Sequence, residues 1–400
     1  MKPLVIVPGL GGSVLVRRGK ERRRILNRNL LMNRWLNIEN FPVNPKLWAA
    51  DMAYDYDRVQ KRFVGADPAI HPHDVGGIDG VCNIMSEIGI LPSHYSDQLD
   101  EKFCHTYFHS LCSHLQANHD YEPRSSLCAV TYDFRLILDP CVRETTFANM
   151  KRVIENATTE NIKKKLKQPK QPKQPKQPRA VILGHSVGGI LIKWFLSSGF
   201  VSKGWIDDHI DSVMMVNVPW AGSPSSLRAV VCGEHYIEPL HRLFRDDCRR
   251  NSAMIMCLPN SRAYDSSDVL MTIGGRQLTT ASYMELATTN LGFQIYLDQY
   301  SPFHDLIMSQ VDVNAHIVIS TGVLVAAGYE AQSDNELAKT CYSELGDSVV
   351  PHRSLSAYIN LFPFEKTKVT HFPNGGHVGI LKKHKFIDLV DAQLNGHSID

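Results

Sequence analysis

Gly184-His185-Ser186-Val187-Gly188 fits G-x-S-x-G, a serine with glycine two positions to either side. That spacing suits a nucleophile on a strained strand-to-helix turn, where a bulkier flanking side chain would strike the backbone. A serine hydroxyl is a weak nucleophile near neutral pH, so a histidine must take its proton and an acid must hold that histidine's tautomer. On such a turn the chain order is serine, acid, histidine. Asp347, in Gly346-Asp347-Ser348-Val349-Val350-Pro351, and His377, closing Asn374-Gly375-Gly376-His377, satisfy this order from within turns. An ordinary Asx turn or helix cap is the plainer reading of Asp347, and His371 rivals His377 among 18 histidines. Acyl transfer also needs N–H donors for a developing oxyanion, usually one just after the nucleophile and one after an early strand. Val187 and Leu10 hold those places, Leu10 between Pro8-Gly9 and Gly11-Gly12, where a plain turn is the other reading. His71-Pro72-His73-Asp74 has metal-binding residue types without a third ligand at suitable spacing, so neither metal nor cofactor is expected.

These residues need a scaffold. Leu4-Val5-Ile6-Val7 and Ala180-Val181-Ile182-Leu183 are continuous apolar runs, the mark of strands buried on both faces. The second leads through the serine turn into Ile190-Leu191-Ile192-Lys193-Trp194-Phe195-Leu196, a helix. Ser212 to Val218 and Ile317 to Val325 read as further core strands, Lys366 to Phe372 as a weaker one, and Ala148 to Ile162 as helix. Strands alternating with helices predict an α/β fold with a mostly parallel sheet covered on both faces.

Two stretches break that rhythm. Residues about 20–100 and about 223–310 lack clear periodicity and read as cap and lid excursions from a single domain spanning 1–400. A Lys-Gln-Pro repeat within 163–179 cannot build a core and reads as an extended surface insertion. That insertion holds eight basic residues and no acidic one, leaving 35 basic against 41 acidic elsewhere, so the body is mildly acidic and nucleic acid is not an expected partner. As the insertion precedes the serine strand, it should leave the sheet at the edge opposite the site. Nine cysteines without C-x-x-C spacing argue against a disulfide framework or structural zinc. The early Pro8 and the lack of a long apolar run lead us to expect a cytoplasmic protein, at most peripheral to a membrane.

Taken together, the blocks resemble the lecithin:cholesterol acyltransferase family, which includes lysosomal phospholipase A and the phospholipid:diacylglycerol acyltransferases. They are Pro3 to Ser13, Thr131-Tyr132-Asp133-Phe134-Arg135, the serine turn, Asn217-Val218-Pro219-Trp220-Ala221-Gly222-Ser223, Gly346 to Pro351, and His377. Six blocks in one order are more specific than any alone. The resemblance implies an α/β-hydrolase core with a membrane-facing cap and a lid. It also implies cleavage of a glycerophospholipid ester through an acyl-serine, with water or a lipid alcohol as acceptor, at a phospholipid membrane or lipoprotein-like surface. By it, Trp220 lies beside the substrate, and Asp133 with Arg135 forms a structural ion pair. Phe134 stands where the family has Trp, Asn217 and Ala221 replace a small residue and a glycine, and the region from Trp48 to Gly80 lacks the family's cysteine pair. The alternatives are an esterase or lipase acting on neutral glycerides or sterol esters, and a catalytically silent lipid-binding protein. An intact Ser186, Asp347 and His377 set counts against the latter.

Overall fold

The computed structural model describes residues 2–17, 54–57, 59–60, 62–66, 68, 70–82, 107–166, 178–233, 245, 248–282 and 307–396. The elements that position the site are β1 (Leu4–Val7), α1 (His109–His119), β2 (Leu127–Ala129), α2 (Pro140–Leu166), β3 (Ala180–His185), α3 (Val187–Ser197), β4 (Ile210–Val216), β5 (Met271–Ile273) and β6 (Arg276–Leu278). They continue with β7 (Ala315–Thr321), β8 (Val323–Ala331), β9 (Lys339–Gly346), β10 (Thr367–Pro373) and α4 (His384–Asn395).

Six strands form one sheet in the order β10-β7-β4-β3-β1-β2, and every neighbouring pair is parallel. Its centre is apolar because both faces are covered. Val5, Val7 and Ile182 point into one core with Phe147 and Met150 of α2 and Trp194 and Phe195 of α3. Leu4, Ile6, Val181 and Leu183 point into the other, with Leu111 and Leu115 of α1 and Phe386 and Val390 of α4. Alternate side chains of one strand thus serve opposite cores. Each such aliphatic side chain contributes about 1.5–3 kcal/mol by leaving water.

β4 begins two residues earlier than its apolar run predicts, and β10 matches the weak run near the end of the chain. The run from Ile317 to Val325 does not form one strand. It splits at Gly322, whose φ of +83° bends the chain between β7 and β8. β8 then leaves the parallel sheet for a second, four-stranded one in the order β6-β5-β8-β9. The β5–β6 hairpin of this sheet lies inside the stretch read as lacking strands.

The basic insertion also begins inside an element, since residues 163–166 are the last of α2. Its repeat lies outside the described residues, as do much of the 20–100 and 223–310 excursions. Arg179, where the chain re-enters β3, pairs with Asp211 at 3.4 Å near the start of β4. No helix among the described residues is long and apolar enough to cross a membrane.

Candidate active site

β3 runs directly into α3 with Ser186 between them at φ +54°, ψ −129°. Holding a non-glycine residue there costs about 1–3 kcal/mol and needs support. The Ser186 N–H donates to the Val216 carbonyl at 2.9 Å, and its own carbonyl accepts from Gly189 N–H at 3.0 Å. Gly188 is required by close approach: a Cβ there would lie 2.2 Å from the Val7 carbonyl oxygen. Gly188 therefore lets the serine turn press against the end of β1, while Gly184 lets α3 close on β3, a Cβ there lying 2.7 Å from Gly189 Cα.

Asp347 follows β9 and is fully buried. Its Oδ1 accepts the N–H groups of Val349 and Val350 at 2.9 and 2.7 Å, leaving Oδ2 for His377 Nδ1 at 2.6 Å. Asp347 thus closes an Asx turn with one oxygen and meets the histidine with the other. A carboxylate only accepts, so His377 carries its proton on Nδ1 and its bare Nε2 faces Ser186 Oγ at 3.0 Å. Ser186 is 8% exposed and the His377 side chain 11%. His371, the rival, lies on β10 with its ring 6.1 Å from that of His352.

Leu10 lies in a turn closed by the Gly12 N–H on the Gly9 carbonyl at 3.0 Å. This turn abuts the serine, as a Cβ on Gly9 would lie 2.8 Å from Ser186 Cβ. Val187 is the first residue of α3, where N–H groups have no intrahelical acceptor. Tyr132 supports the turn from below, its hydroxyl donating to the Pro8 carbonyl and its N–H to Ser13 Oγ, both at 3.0 Å. Beside Tyr132, Arg135 is wholly buried and grips Asp133 through Nε at 2.9 Å and Nη2 at 2.7 Å. Trp220, 3% exposed, packs edge-on against Phe362 with ring centroids 6.0 Å apart.

Three residues that were not singled out as site residues tie these loops together. The fully buried Asn217, at φ +48° after β4, donates from Nδ2 to the carbonyls of Gly376 and His377 at 3.1 and 3.0 Å, and its Oδ1 accepts Ser320 N–H at 2.7 Å. The Asn217 amide thus ties the histidine loop to the sheet, alongside Ser320 Oγ, which donates to the Gly376 carbonyl at 3.0 Å. His185, the variable residue of the serine motif, lies between Tyr107 and the same loop. Its Nε2 is 2.9 Å from the His377 carbonyl, which only accepts, so Nε2 carries the proton. Its Nδ1 must then accept from the Tyr107 hydroxyl at 2.7 Å, leaving Tyr107 Oη to accept Gly9 N–H at 2.9 Å. Every donor in this relay finds an acceptor. Burial, reinforced by neighbouring His377, pushes the His185 pKa down to about 3, and burial pushes the Tyr107 phenol up. His185 was visible within the motif and Asn217 as a departure from the family's pattern; nothing near Tyr107 in sequence marks it.

The family model for lecithin:cholesterol acyltransferase matches residues 93–320, more than half of the chain. The chain belongs to the lecithin:cholesterol acyltransferase family. Within that family match lies Ser186, while Asp347 and His377 lie beyond it. The chain is 24% identical over 257 residues to the phosphatidylcholine-sterol acyltransferase of Gallus gallus, a match covering 64% of this chain and 54% of the relative. It is 22% identical over 207 residues to the lysosomal phospholipase A and acyltransferase of Bos taurus, covering 50% of each. The chain thus spans about half the length of these curated relatives. Among solved structures, a chain of the Tle4–Tli4 complex superposes with a TM-score of 0.53 at 10% identity, covering 99% of this chain and 97% of that one. That likeness concerns the fold, which is that of an α/β-hydrolase.

Proposed function

We propose that this lecithin:cholesterol acyltransferase family member is a serine-dependent acyl hydrolase or acyltransferase acting on glycerophospholipids. The observation that carries the reading is the unbroken chain from Asp347 Oδ2 through His377 to Ser186 Oγ, at 2.6 and 3.0 Å. In the proposed reaction Ser186 Oγ attacks an ester carbonyl while His377 Nε2 takes its proton, and Asp347 stabilises the imidazolium. The N–H groups of Leu10 and Val187 stabilise the oxyanion. Collapse expels the lysophospholipid alcohol, which receives the proton from His377 and leaves the acyl group on Ser186. Water or a lipid alcohol, deprotonated by His377, then releases it as a fatty acid or a new ester. Trp220, just beyond β4, would line the acyl-chain path.

Access from a lipid surface is part of this reading. Leu324 and Leu345, 69% and 59% exposed, are register partners on β8 and β9, and Leu345 lies two residues before Asp347. An exposed apolar pair beside the site supports peripheral contact with a phospholipid membrane or lipoprotein-like surface.

Mass spectrometry of phospholipid liposomes, incubated with wild type or Ser186→Ala and with or without a sterol, tests the reading. Wild type should yield lysophospholipid with free fatty acid, or a new sterol ester, and Ser186→Ala should lose at least about 10³-fold in rate. Equal product from both proteins would sink the serine mechanism.

A further inference from the structure

On the α1–α4 side of the sheet, away from the serine loops in sequence, a second cluster of titratable groups bridges these two helices. His114 and His119 both belong to α1 and Asp391 to α4. Asp391 Oδ2 lies 3.6 Å from His114 Nε2 and 2.6 Å from His119 Nε2. One ligand atom from each of the three residues lies within 4.8 Å of the others. The two imidazole rings are 5.5 Å apart and tilted at 46°.

The close His119–Asp391 contact accounts for only part of this arrangement. His114 Nε2 and Asp391 Oδ1 are both inaccessible to solvent and have no hydrogen-bond partner among the described residues. Two orphaned polar atoms in one small cluster are uncommon, because buried polar groups are nearly always paired. A cation among the three side chains would engage the orphaned nitrogen and give the carboxylate a second point of charge contact.

We propose that His114, His119 and Asp391 form a structural transition-metal site of the zinc class, with solvent completing the coordination, which clamps α1 to α4. Two imidazoles and one carboxylate suit zinc better than the all-oxygen sets that calcium and magnesium take. Tetrahedral zinc with bonds of about 2.0–2.1 Å holds its ligand atoms roughly 3.3 Å apart. The 3.6 Å contact nearly meets that spacing, and the 2.6 Å contact must open as the ion enters between the two groups. Asn118 supplies the outer partner: its Nδ2 lies 3.1 Å from His114 Nδ1 and donates to it. Metal binding through Nε2 requires this amide to turn over, so that Oδ1 accepts the Nδ1 proton and the Nε2 lone pair is left for the metal. The side chains are 29%, 29% and 20% exposed, leaving a path for the ion and its water.

The clamp would join segments close in sequence to both ends of the relay. α1 starts two residues after Tyr107, and α4 starts seven residues after His377. The test titrates zinc chloride into the full chelator-stripped chain by calorimetry, with cobalt absorption reporting geometry. One ion should bind wild type with Kd below about 10 µM, raise its melting temperature and give a tetrahedral cobalt spectrum. His114→Ala and Asp391→Asn, each checked by circular dichroism, should bind at least about tenfold more weakly, while His377→Ala keeps the wild-type affinity. No saturable binding by wild type, equal affinity in the cluster variants, or loss of the ion in His377→Ala would each overturn the site, the last by moving the metal to the serine loops.

Discussion

The two sheets hold parts of the same hydrogen-bonded chain by different means. β3 is buried at all six of its residues, and the loop with His377 follows the β10 edge strand but is pulled inward by Asn217. β9, which delivers Asp347, exposes six of its eight residues and is buried only at its final glycine. Serine and histidine are thus placed from outside their own loops, by packing beneath the turn and by the distant side chains of Asn217, Ser320 and His185. The aspartate is placed by its own turn, through Val349 and Val350, with lateral support from a β-bridge to Val323 and from Ser223 Oγ, which donates to the Val349 carbonyl at 2.8 Å. A polar strand can therefore deliver a fixed carboxylate when the residues that follow it are self-organised.

If that contrast is right, removing the charge from Asp347 should cost activity far more than stability. Asp347→Asn can keep its Oδ1 bonds to the turn while presenting an amide to His377, which favours the wrong tautomer. Steady-state assays with a soluble ester should show kcat lower by about 10⁴-fold, with a near-unchanged melting temperature. A collapse of the fold instead would place the loop's stability in the charge pair.

The serine side should behave oppositely. Tyr107→Phe strands both the Gly9 N–H and His185 Nδ1 in a buried site, so unfolding experiments should show a loss of about 1–3 kcal/mol per unpaired group at most. Catalysis should fall as well, because the freed turn carries Leu10. An intact melting temperature would mean that the relay carries no structural load.

Acid should expose the same weakness. The His185 pKa lies near 3 when folded, below the ordinary value of about 6.5. Between those limits the unfolded chain binds the extra proton, so the His185 contribution is full above about pH 6.5 and falls by about 1.4 kcal/mol per unit as pH drops toward 3. Urea titrations across that range should show this slope in wild type and a shallower one in His185→Gln.

The smallest effect belongs to the exposed face of β9. Leu345→Ser should change stability by no more than about 0.5 kcal/mol and leave soluble-ester kinetics alone. Its rate on vesicles should nevertheless fall, and equal rates on vesicles and soluble ester would remove the apolar pair from the account of surface access.

How far the sequence foretold this molecule follows the same divide. The central strands were legible because residues such as Val181, Ile182 and Leu183 are apolar without interruption, as burial on both faces demands. Ser186 was legible from glycine spacing, and Asp347 and His377 from chain order and turn composition. β9 was not, because an exposed strand rich in Lys, Thr, Ser and Glu has no periodic signature. Nor was the break at Gly322, since the apolar run continues through it and only the backbone angle divides two sheets. Asn217 and Tyr107 act across roughly 160 and 80 residues of chain respectively, on His377 and His185, and local pattern does not encode such distances.

The relay also bears on how portable the site is. A designer who moved Gly184 to Gly188 onto another scaffold would carry over the serine and its angle, but His185 would arrive with an acceptor on one side and a donor on the other missing. The transplant would need Tyr107 and a backbone carbonyl in matched places, so the smallest transferable unit is a set of three chain segments rather than a five-residue word.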